Sequence, residues 1–255
     1  MTDFPAAQHA LQLFSRFPLL AVGVHLDLTE GYSLTKIGVS ILTQPNGHFR
    51  SRLSLFARSI IPRDALLRSV ELELATQINI LVQAGVQPQH LTTHIHFHML
   101  PALRRVVLGL AKKYQVSWVR AHSPQTAVLP FNPLLRRHPT LHGKDSAHPI
   151  IIPDYVVGLK YWMGYSPEQL LTKLKTLQGI IEIVVHPCTE RDQTFPRDVP
   201  YLPHERFNET CYLERFYKLL QTRIPEDFVF IESAQALQST AYNIAAREQG
   251  RTQES

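Results

Sequence analysis

Four histidines fall within nine residues of the sequence, and three of them alternate: His94, His96 and His98. Imidazole is a frequent metal ligand and suits zinc and other divalent transition metals. On a strand, residues two apart share a face, so the three rings would line one side. At a rise of about 3.3 Å per residue, His94 and His98 would lie roughly 13 Å apart, too far to bind one ion together. The alternation predicts part of a metal site; the competing interpretation is a strand whose histidines have local partners.

Two further histidines stand at the ends of predicted strands. His25 lies at the end of the apolar run 19–26, and His186 lies at the end of the run 180–187. In a parallel α/β barrel the carboxyl ends of the strands meet on one face, where catalytic groups collect. His186 could act there as a general acid, although a histidine before Pro187 is equally well explained as a loop cap. Histidines at three strand ends therefore predict a site on that face.

Apolar periodicity predicts a chain in which strands and helices alternate. Strands are predicted near 19–26, 90–98, 116–120, 180–187 and 228–231, and helices near 6–17, 64–84, 101–114, 166–179, 205–221 and the chain end. Such alternation is typical of parallel βα units, so the predicted fold class is α/β. We expect one domain over residues 1–247 and a flexible tail over 248–255. The long segment 123–153 is expected to shape substrate choice.

The composition limits the classes of protein to consider. The chain has 255 residues, 44% of them hydrophobic, and a formal net charge of +5 with scattered Lys and Arg residues. Scattered basic residues are typical of a solvated face, so no nucleic-acid partner is predicted. Two cysteines cannot form a disulfide framework, and no apolar run is long enough for a transmembrane segment. We therefore expect a soluble cytoplasmic protein, with a homodimer left open.

Three motifs, in this order, resemble segments of a known family. The sequence GVHLDLTEG from Gly23 resembles the G-x-H-x-x-L-T-x-G segment of the YdjC-like carbohydrate deacetylases. The sequence HLTTHIHFH from His90 resembles their H-x-D-S-H-H-H-x-H segment, and EIVVHP from Glu182 resembles their E-x-x-x-H-P strand end. Order and spacing match from Pro5 to about Leu237. The H-x-H-F-H variant is closer to the branch associated with hopanoid biosynthesis, which is associated with deacetylation of an N-acetylglucosaminyl lipid.

The resemblance implies a fold, a cofactor and a reaction. The fold would be a distorted TIM-like (β/α) barrel of the glycoside hydrolase/deacetylase type, and a divalent metal ion, Mg²⁺ or Zn²⁺, would be held by an Asp and by His25 and His94. The enzyme would hydrolyse a carbon–nitrogen amide bond, removing acetyl from an N-acetylated sugar or glycolipid. Metal-activated water would attack the carbonyl while a carboxylate takes its proton, and His186 would be catalytic by protonating the amine. His96 and His98 would bind substrate.

The sequence also departs from the family pattern. Thr92 stands where the family has Asp, Ile95 replaces its middle histidine, and Cys188 follows His-Pro in place of Gly or Ala. The D-D-F-G segment that supplies the metal-binding aspartate is not found before His25, so the barrel is expected to lack its first strand or strands. Asp27 could substitute as a ligand, but a loop-capping role is the stronger expectation.

These departures leave three hypotheses open. The first is the metal-dependent deacetylase, with the activity of this chain impaired by loss of the aspartate motif. The second is a non-catalytic sugar- or glycolipid-binding pseudoenzyme on the same scaffold. The third is a different metallohydrolase that uses an H-x-H pair, in which His96→Ala would abolish metal binding while His94→Ala would not. The exact sugar and the metal are not fixed by the sequence.

Overall fold

The computed structural model describes residues 6–14, 16–17, 20–35, 39–120, 150–153, 155–177, 180–189, 203–223 and 239. These residues fall into two compact units: residues 6–120 with 150–152 and 239 form the first unit, and 153–223 form the second. The prediction of one domain over 1–247 stays a prediction. The predicted tail, the predicted strand 228–231, the last predicted helix and most of the segment 123–153 lie outside the described residues.

The described elements are seven helices and five strands, in the parts of the chain given above. The helices are α1 (Ala6–Phe14), α2 (Val39–Leu42), α3 (Arg52–Ile60), α4 (Asp64–Gln83), α5 (Pro101–Lys113), α6 (Pro167–Leu174) and α7 (Pro203–Arg223). The strands are β1 (Gly23–Leu26), β2 (His90–Thr93), β3 (Trp118–Val119), β4 (Tyr155–Gly158) and β5 (Ile181–Val184). None of these helices is both long and apolar enough to cross a membrane.

The first unit is built on a parallel sheet in the order β1-β2-β3. Its core helix, α4, buries Leu66, Val70, Leu74, Ile78 and Leu81, which recur at three- and four-residue spacing on one face. Gly85 follows α4 with a φ of 77°, where glycine avoids the strain of a left-handed residue, and the Val86 N–H bonds to the Leu81 carbonyl. The predicted start of α5 at Pro101 and end of α4 before Gly85 are confirmed.

The second unit pairs β4 with β5 in parallel and covers them with α6 and α7. The sequence predicts the start of α6 correctly, because Ser166 caps it and Gln169 closes a capping box with the Ser166 backbone. Helix α7 contributes Tyr212, Phe216 and Leu220 to the core of this unit. Strand β4 is not among the predicted strands.

The histidine-rich strand is shorter than predicted. Strand β2 ends at Thr93, and His94–Met99 form a 3₁₀ turn in which Ile95 and His96 have φ values of 47° and 56°. Two left-handed residues in succession break the strand, so the prediction that His94, His96 and His98 share one strand face is wrong. The separation of roughly 13 Å expected between His94 and His98 assumed an extended strand, so it does not apply to this turn.

The predicted fold class is confirmed at the level of an α/β protein with parallel sheets. The described strands form an open sheet of three and a sheet of two, so they do not close into a barrel. The predicted TIM-like barrel therefore stays a proposal for the chain as a whole.

Gly23 faces His90 across β1 and β2 with no room for a side chain. A Cβ built on Gly23 would overlap Cδ2 and Nε2 of the His90 ring. Gly23→Ala is therefore expected to lower the free energy of unfolding by about 1–3 kcal/mol, because the ring or the strand must move. The measurement is urea denaturation of Gly23→Ala, His90→Ala and the double variant.

Gly109 provides the matched control for this substitution. It lies within α5, and a Cβ at this position would meet no atom within 4 Å. Gly109→Ala is expected to be neutral or to stabilise by about 0.5–1 kcal/mol. If Gly23→Ala lowers the free energy of unfolding as much in the His90→Ala variant as in the wild type, a clash with the His90 ring is not the cause of the loss.

Candidate functional site

The carboxyl edge of the first sheet brings two of the predicted metal ligands together. In the parallel register His25 lies opposite Thr92 and Leu26 opposite Thr93, so His94 follows directly at the end of β2. The ring centroids of His25 and His94 lie 5.6 Å apart with the planes at 87°. The structure thus places these two imidazoles side by side at the edge where strand ends of a parallel sheet converge.

The surroundings of His25 keep its ring neutral. Its Nδ1 lies 2.7 Å from the Thr92 hydroxyl, a hydrogen bond across β1 and β2 that fixes the ring orientation. Burial, with the nearby charge of His94 as a further cause, lowers the pKa of His25 to about 2. A neutral imidazole held at one nitrogen by a hydrogen bond is the form in which histidine ligates metal through the other nitrogen, here Nε2.

Glu30 is a contact of His94 that the sequence analysis did not single out. Its Oε1 lies 3.0 Å from Nε2 of His94, in an orientation that does not meet hydrogen-bond geometry. The Glu30 side chain is 36% exposed, whereas Nε2 of His94 is itself buried. The signal that could have found it is the position of Glu30 in the loop directly after the His25 strand, at the same sheet edge.

Asp27 caps the loop after β1, which confirms the stronger of the two roles predicted for it. Its carboxylate accepts hydrogen bonds from the N–H and hydroxyl of Thr29 and from the N–H of Glu30. Burial raises the pKa of Asp27, and these hydrogen bonds oppose the rise. The Asp27 carboxylate therefore holds this loop in place, including the backbone of Glu30.

A buried carboxylate on α4 holds the next part of this loop. Glu73 is fully buried and accepts hydrogen bonds from the Ser33 hydroxyl, the Leu34 N–H and both the N–H and hydroxyl of Thr35. Gln77, one turn on, donates to Glu73 and to the Asp27 carbonyl and accepts from the Asp27 N–H. Helix α4 therefore positions the loop that follows His25 through two polar side chains on its buried face.

The two remaining histidines of the turn are placed differently from His94. His98 is 1% exposed, and its Nδ1 is hydrogen-bonded to the Thr93 hydroxyl. His96 is half-buried, and its ring lies edge-on to that of His98 with centroids 6.1 Å apart. The burial of His98 favours a role in shaping the turn over the predicted contact with substrate, whereas His96 remains a candidate.

The donor set at this edge fits the histidine part of a divalent-metal site. It contains the neutral ring of His25 and the ring of His94, with the Glu30 carboxylate against the latter. Within the described ranges, no group of three or more His, Cys, Asp or Glu side chains is arranged to hold a metal ion. Two imidazoles are thus in place, and a carboxylate oxygen must join them to complete a usual ligand set.

His186 lies in the second unit, two residues after β5. Its Nδ1 is 3.9 Å from a carboxylate oxygen of Glu209, which is 1% exposed on α7. Helix α7 also contacts the chain just after His186. The Thr210 hydroxyl accepts a hydrogen bond from the Cys188 N–H and donates one to the Cys188 carbonyl. The predicted catalytic histidine therefore has a buried carboxylate as its neighbour.

Comparison with known proteins supports the family resemblance that the sequence motifs indicated. The family profile described as "YdjC-like protein" matches residues 1–222. A carbohydrate deacetylase of Halalkalibacterium halodurans is 29% identical over 236 residues, which cover 91% of this chain and 86% of the relative. A carbohydrate deacetylase of Vibrio cholerae is 34% identical over 116 residues, 46% of this chain and 44% of that protein.

A solved structure shares the fold. It is described as a cellobiose-phosphate cleavage protein of Enterococcus faecalis, is 22% identical, and superposes with a TM-score of 0.62 over 93% of this chain and 86% of its own. At this identity the likeness shows the fold alone. The family profile, in contrast, covers most of the chain, including His25, His94 and His186. The chain therefore belongs to the family of YdjC-like proteins.

Proposed function

We propose that the chain is a metal-dependent carbohydrate deacetylase that hydrolyses the amide bond of an N-acetylated amino sugar or glycolipid. The observation that carries this proposal is the pairing of His25 and His94 at the carboxyl edge of a parallel sheet. Relatives named carbohydrate deacetylases supply the reaction class. We extend the proposal to the fold of the whole chain, as a distorted TIM-like barrel.

His25 and His94 would hold the divalent ion, zinc or magnesium, together with a carboxylate. Such an ion, when bound, supplies electrophilic activation of the amide carbonyl. Thr92 would keep the His25 ring oriented through its Nδ1 atom. Glu30 is our candidate for the carboxylate, since its oxygen already lies against His94 and its loop is anchored by Asp27.

His186 would donate a proton to the departing amine nitrogen. An acid must be protonated before it reacts, and a neighbouring negative charge favours the protonated imidazole. The Glu209 carboxylate, buried and 3.9 Å from Nδ1, supports this role for His186. His96 would contact the sugar, as the motif resemblance implies.

The test removes metal from the purified chain with a chelator and restores Zn²⁺ or Mg²⁺. Acetate release from N-acetylglucosamine conjugates is expected only after metal is restored, and calorimetry is expected to detect one bound ion per chain. Glu30→Gln should weaken metal binding by at least about 10-fold, because a neutral amide oxygen replaces a charged ligand and loss of a group that only orders a ligand already costs about 10–100-fold. His9→Ala, on the exposed side of α1, should leave both quantities unchanged.

Two results would contradict parts of this proposal. Stoichiometric metal binding without acetate release from any N-acetylated sugar would exclude the enzyme and favour a non-catalytic sugar- or glycolipid-binding protein. Unchanged metal affinity in Glu30→Gln would remove Glu30 from the ligand set while leaving the two histidines in it.

A further inference from the structure

One face of the first sheet is polar, although the opposite face belongs to the core. Side chains on a strand alternate between the two faces, and paired residues of neighbouring parallel strands point the same way. The core face is formed by residues that are each at most 4% exposed: Val24, Leu26, Leu91, Thr93 and Val119. We call the opposite side the polar face, and it is formed by Gly23, His25, His90, Thr92, Trp118 and Arg120.

Arg120 lies in one row with His25 and Thr92 across this polar face. His25 is paired with Thr92, and Leu91 with Val119, so the residue after Val119 lies opposite Thr92. The Arg120 N–H donates to the Leu91 carbonyl, which continues the parallel ladder past the end of β3. Neighbouring strands are about 4.8 Å apart, so the Cα atoms of His25 and Arg120 are separated by about 10 Å, with the short Thr92 side chain between them.

The row combines a positive charge with a neutral ring and a hydroxyl. Burial is the largest cause that lowers the pKa of His25 and of His90, and the charge of Arg120 is a further cause for both, which places the guanidinium near these rings. No residue of the polar face is an Asp or Glu. A guanidinium beside uncharged hydrogen-bonding groups is suited to an oxyanion or a carboxylate.

Hydrolysis of an N-acetyl group produces such a negative charge. The oxygen of water adds to the acyl carbon, the C–N bond breaks, and the nitrogen leaves as the protonated amine while the acyl group becomes acetate. Negative charge therefore develops on the acyl oxygen and stays on the carboxylate of the product. If His25 and His94 hold the ion, the acyl group reacts at the His25 end of the row, on the face that also carries Arg120.

We propose that Arg120 is a substrate-binding residue that donates hydrogen bonds to the acyl oxygen and, after hydrolysis, to the carboxylate of the released acetate. The proposal rests on the deacetylase activity proposed above, because it names the group that meets the acetyl end of the substrate. A guanidinium has donors and no acceptor, so Arg120 is not a metal ligand. Loss of Arg120 should therefore leave metal binding intact.

Acetate binding to the metal-free, full-length chain tests Arg120 without any turnover. Acetate replaces chloride at constant ionic strength, so that only the kind of anion changes, and the fluorescence of Trp118 on the same face reports binding. The wild-type chain is expected to bind acetate saturably. Arg120→Gln is expected to weaken this binding at least about tenfold, because it removes a charge-assisted hydrogen bond.

Turnover gives the second measurement. Arg120→Gln is expected to lower kcat by about 100–1,000-fold, the range found when one donor to a developing oxyanion is removed. The affinity for Zn²⁺ should stay unchanged, whereas a merely structural role of Arg120 would change metal affinity and melting temperature as well. Arg120→Lys keeps the charge without the two-point geometry, so its kcat and acetate affinity should fall between those of the wild type and Arg120→Gln.

Arg105, which is exposed on α5, provides the matched control. Arg105→Gln removes the same charge and should change neither acetate binding nor kcat. Circular dichroism should show the same melting temperature for all three variants. If Arg120→Gln does not fold, Arg120→Lys supplies both measurements.

The proposal is overturned if the wild-type chain shows no saturable acetate binding, or if Arg120→Gln binds acetate as tightly as the wild type. An equal loss of binding in Arg105→Gln would assign the effect to net charge and would also overturn it. Unchanged kcat in Arg120→Gln would exclude Arg120 while leaving the deacetylase proposal intact. Acetate binding that depends on Arg120, without turnover of any N-acetylated sugar by the wild type, would support the carboxylate site and contradict the deacetylase instead.

Discussion

The His94→Ala variant is expected to lose at least about 100-fold in kcat/KM for deacetylation, together with measurable metal binding. Loss of a group that merely orients a ligand already costs about 10–100-fold, and loss of a ligand should cost more. His25→Ala is expected to have an effect of the same size, since the two rings lie side by side at the sheet edge. The measurements are steady-state acetate release and calorimetric titration of the metal-free chain.

His96→Ala separates this assignment from the alternative metal site. If the metal is held by the pair His25 and His94, the His96→Ala variant should bind the ion with unchanged affinity and change KM alone. Loss of metal binding in His96→Ala, with metal binding retained in His94→Ala, would contradict our assignment. That result would support a site built on an H-x-H pair. Circular dichroism of each variant controls for unfolding, because all three side chains are partly exposed.

The Glu73→Ala variant is expected to lose about 3 kcal/mol or more of the free energy of unfolding. The substitution removes the acceptor of the half-buried N–H groups of Leu34 and Thr35 and of one N–H of the buried Gln77 amide. Each unsatisfied buried donor costs about 1–3 kcal/mol. Urea denaturation measures the loss directly, and the melting temperature should fall by roughly 6–12 °C.

Glu71, two residues away and exposed, provides the control for this substitution. Glu71→Ala removes the same charge from α4 and is expected to change stability by less than about 0.5 kcal/mol. Glu73→Gln should fall between the two, because an amide keeps one acceptor oxygen. Equal stability of Glu71→Ala and Glu73→Ala would show that the hydrogen bonds to residues 33–35 do not support the fold.

Helices α1, α4 and α5 of the first unit could be predicted because local sequence determines them. Apolar residues recur along α4, Gly85 ends it, and Pro101 begins α5, and none of these signals depends on distant contacts. The parallel sheet follows from the alternation of strands with such helices. The pairing of His25 with His94 follows from the family resemblance, because the predicted strand runs past His94 to His98 and, of the two, only His25 is predicted where its strand ends.

The turn after β2 could not be predicted from the same kind of signal. Its alternating sequence has the period of a strand, and Ile95 is a β-branched residue for which a left-handed backbone is strongly disfavoured. The contact between Glu30 and His94 joins residues 64 positions apart and depends on the register of two strands. Glu73 is different, since an acid one turn from Gln77 on the apolar face of α4 is a signal that the sequence did contain.

The left-handed pair Ile95 and His96 also makes the site a thermodynamic weak point. Residues in such conformations cost about 1–3 kcal/mol each, so opening of the 94–96 turn would release this strain. We therefore expect local unfolding to begin at this turn, with His94 leaving its place while the rest of the sheet stays folded. A ligand that bridges His25 and His94 would suppress this opening, so occupancy of the site could be read as slower hydrogen exchange at residues 94–96.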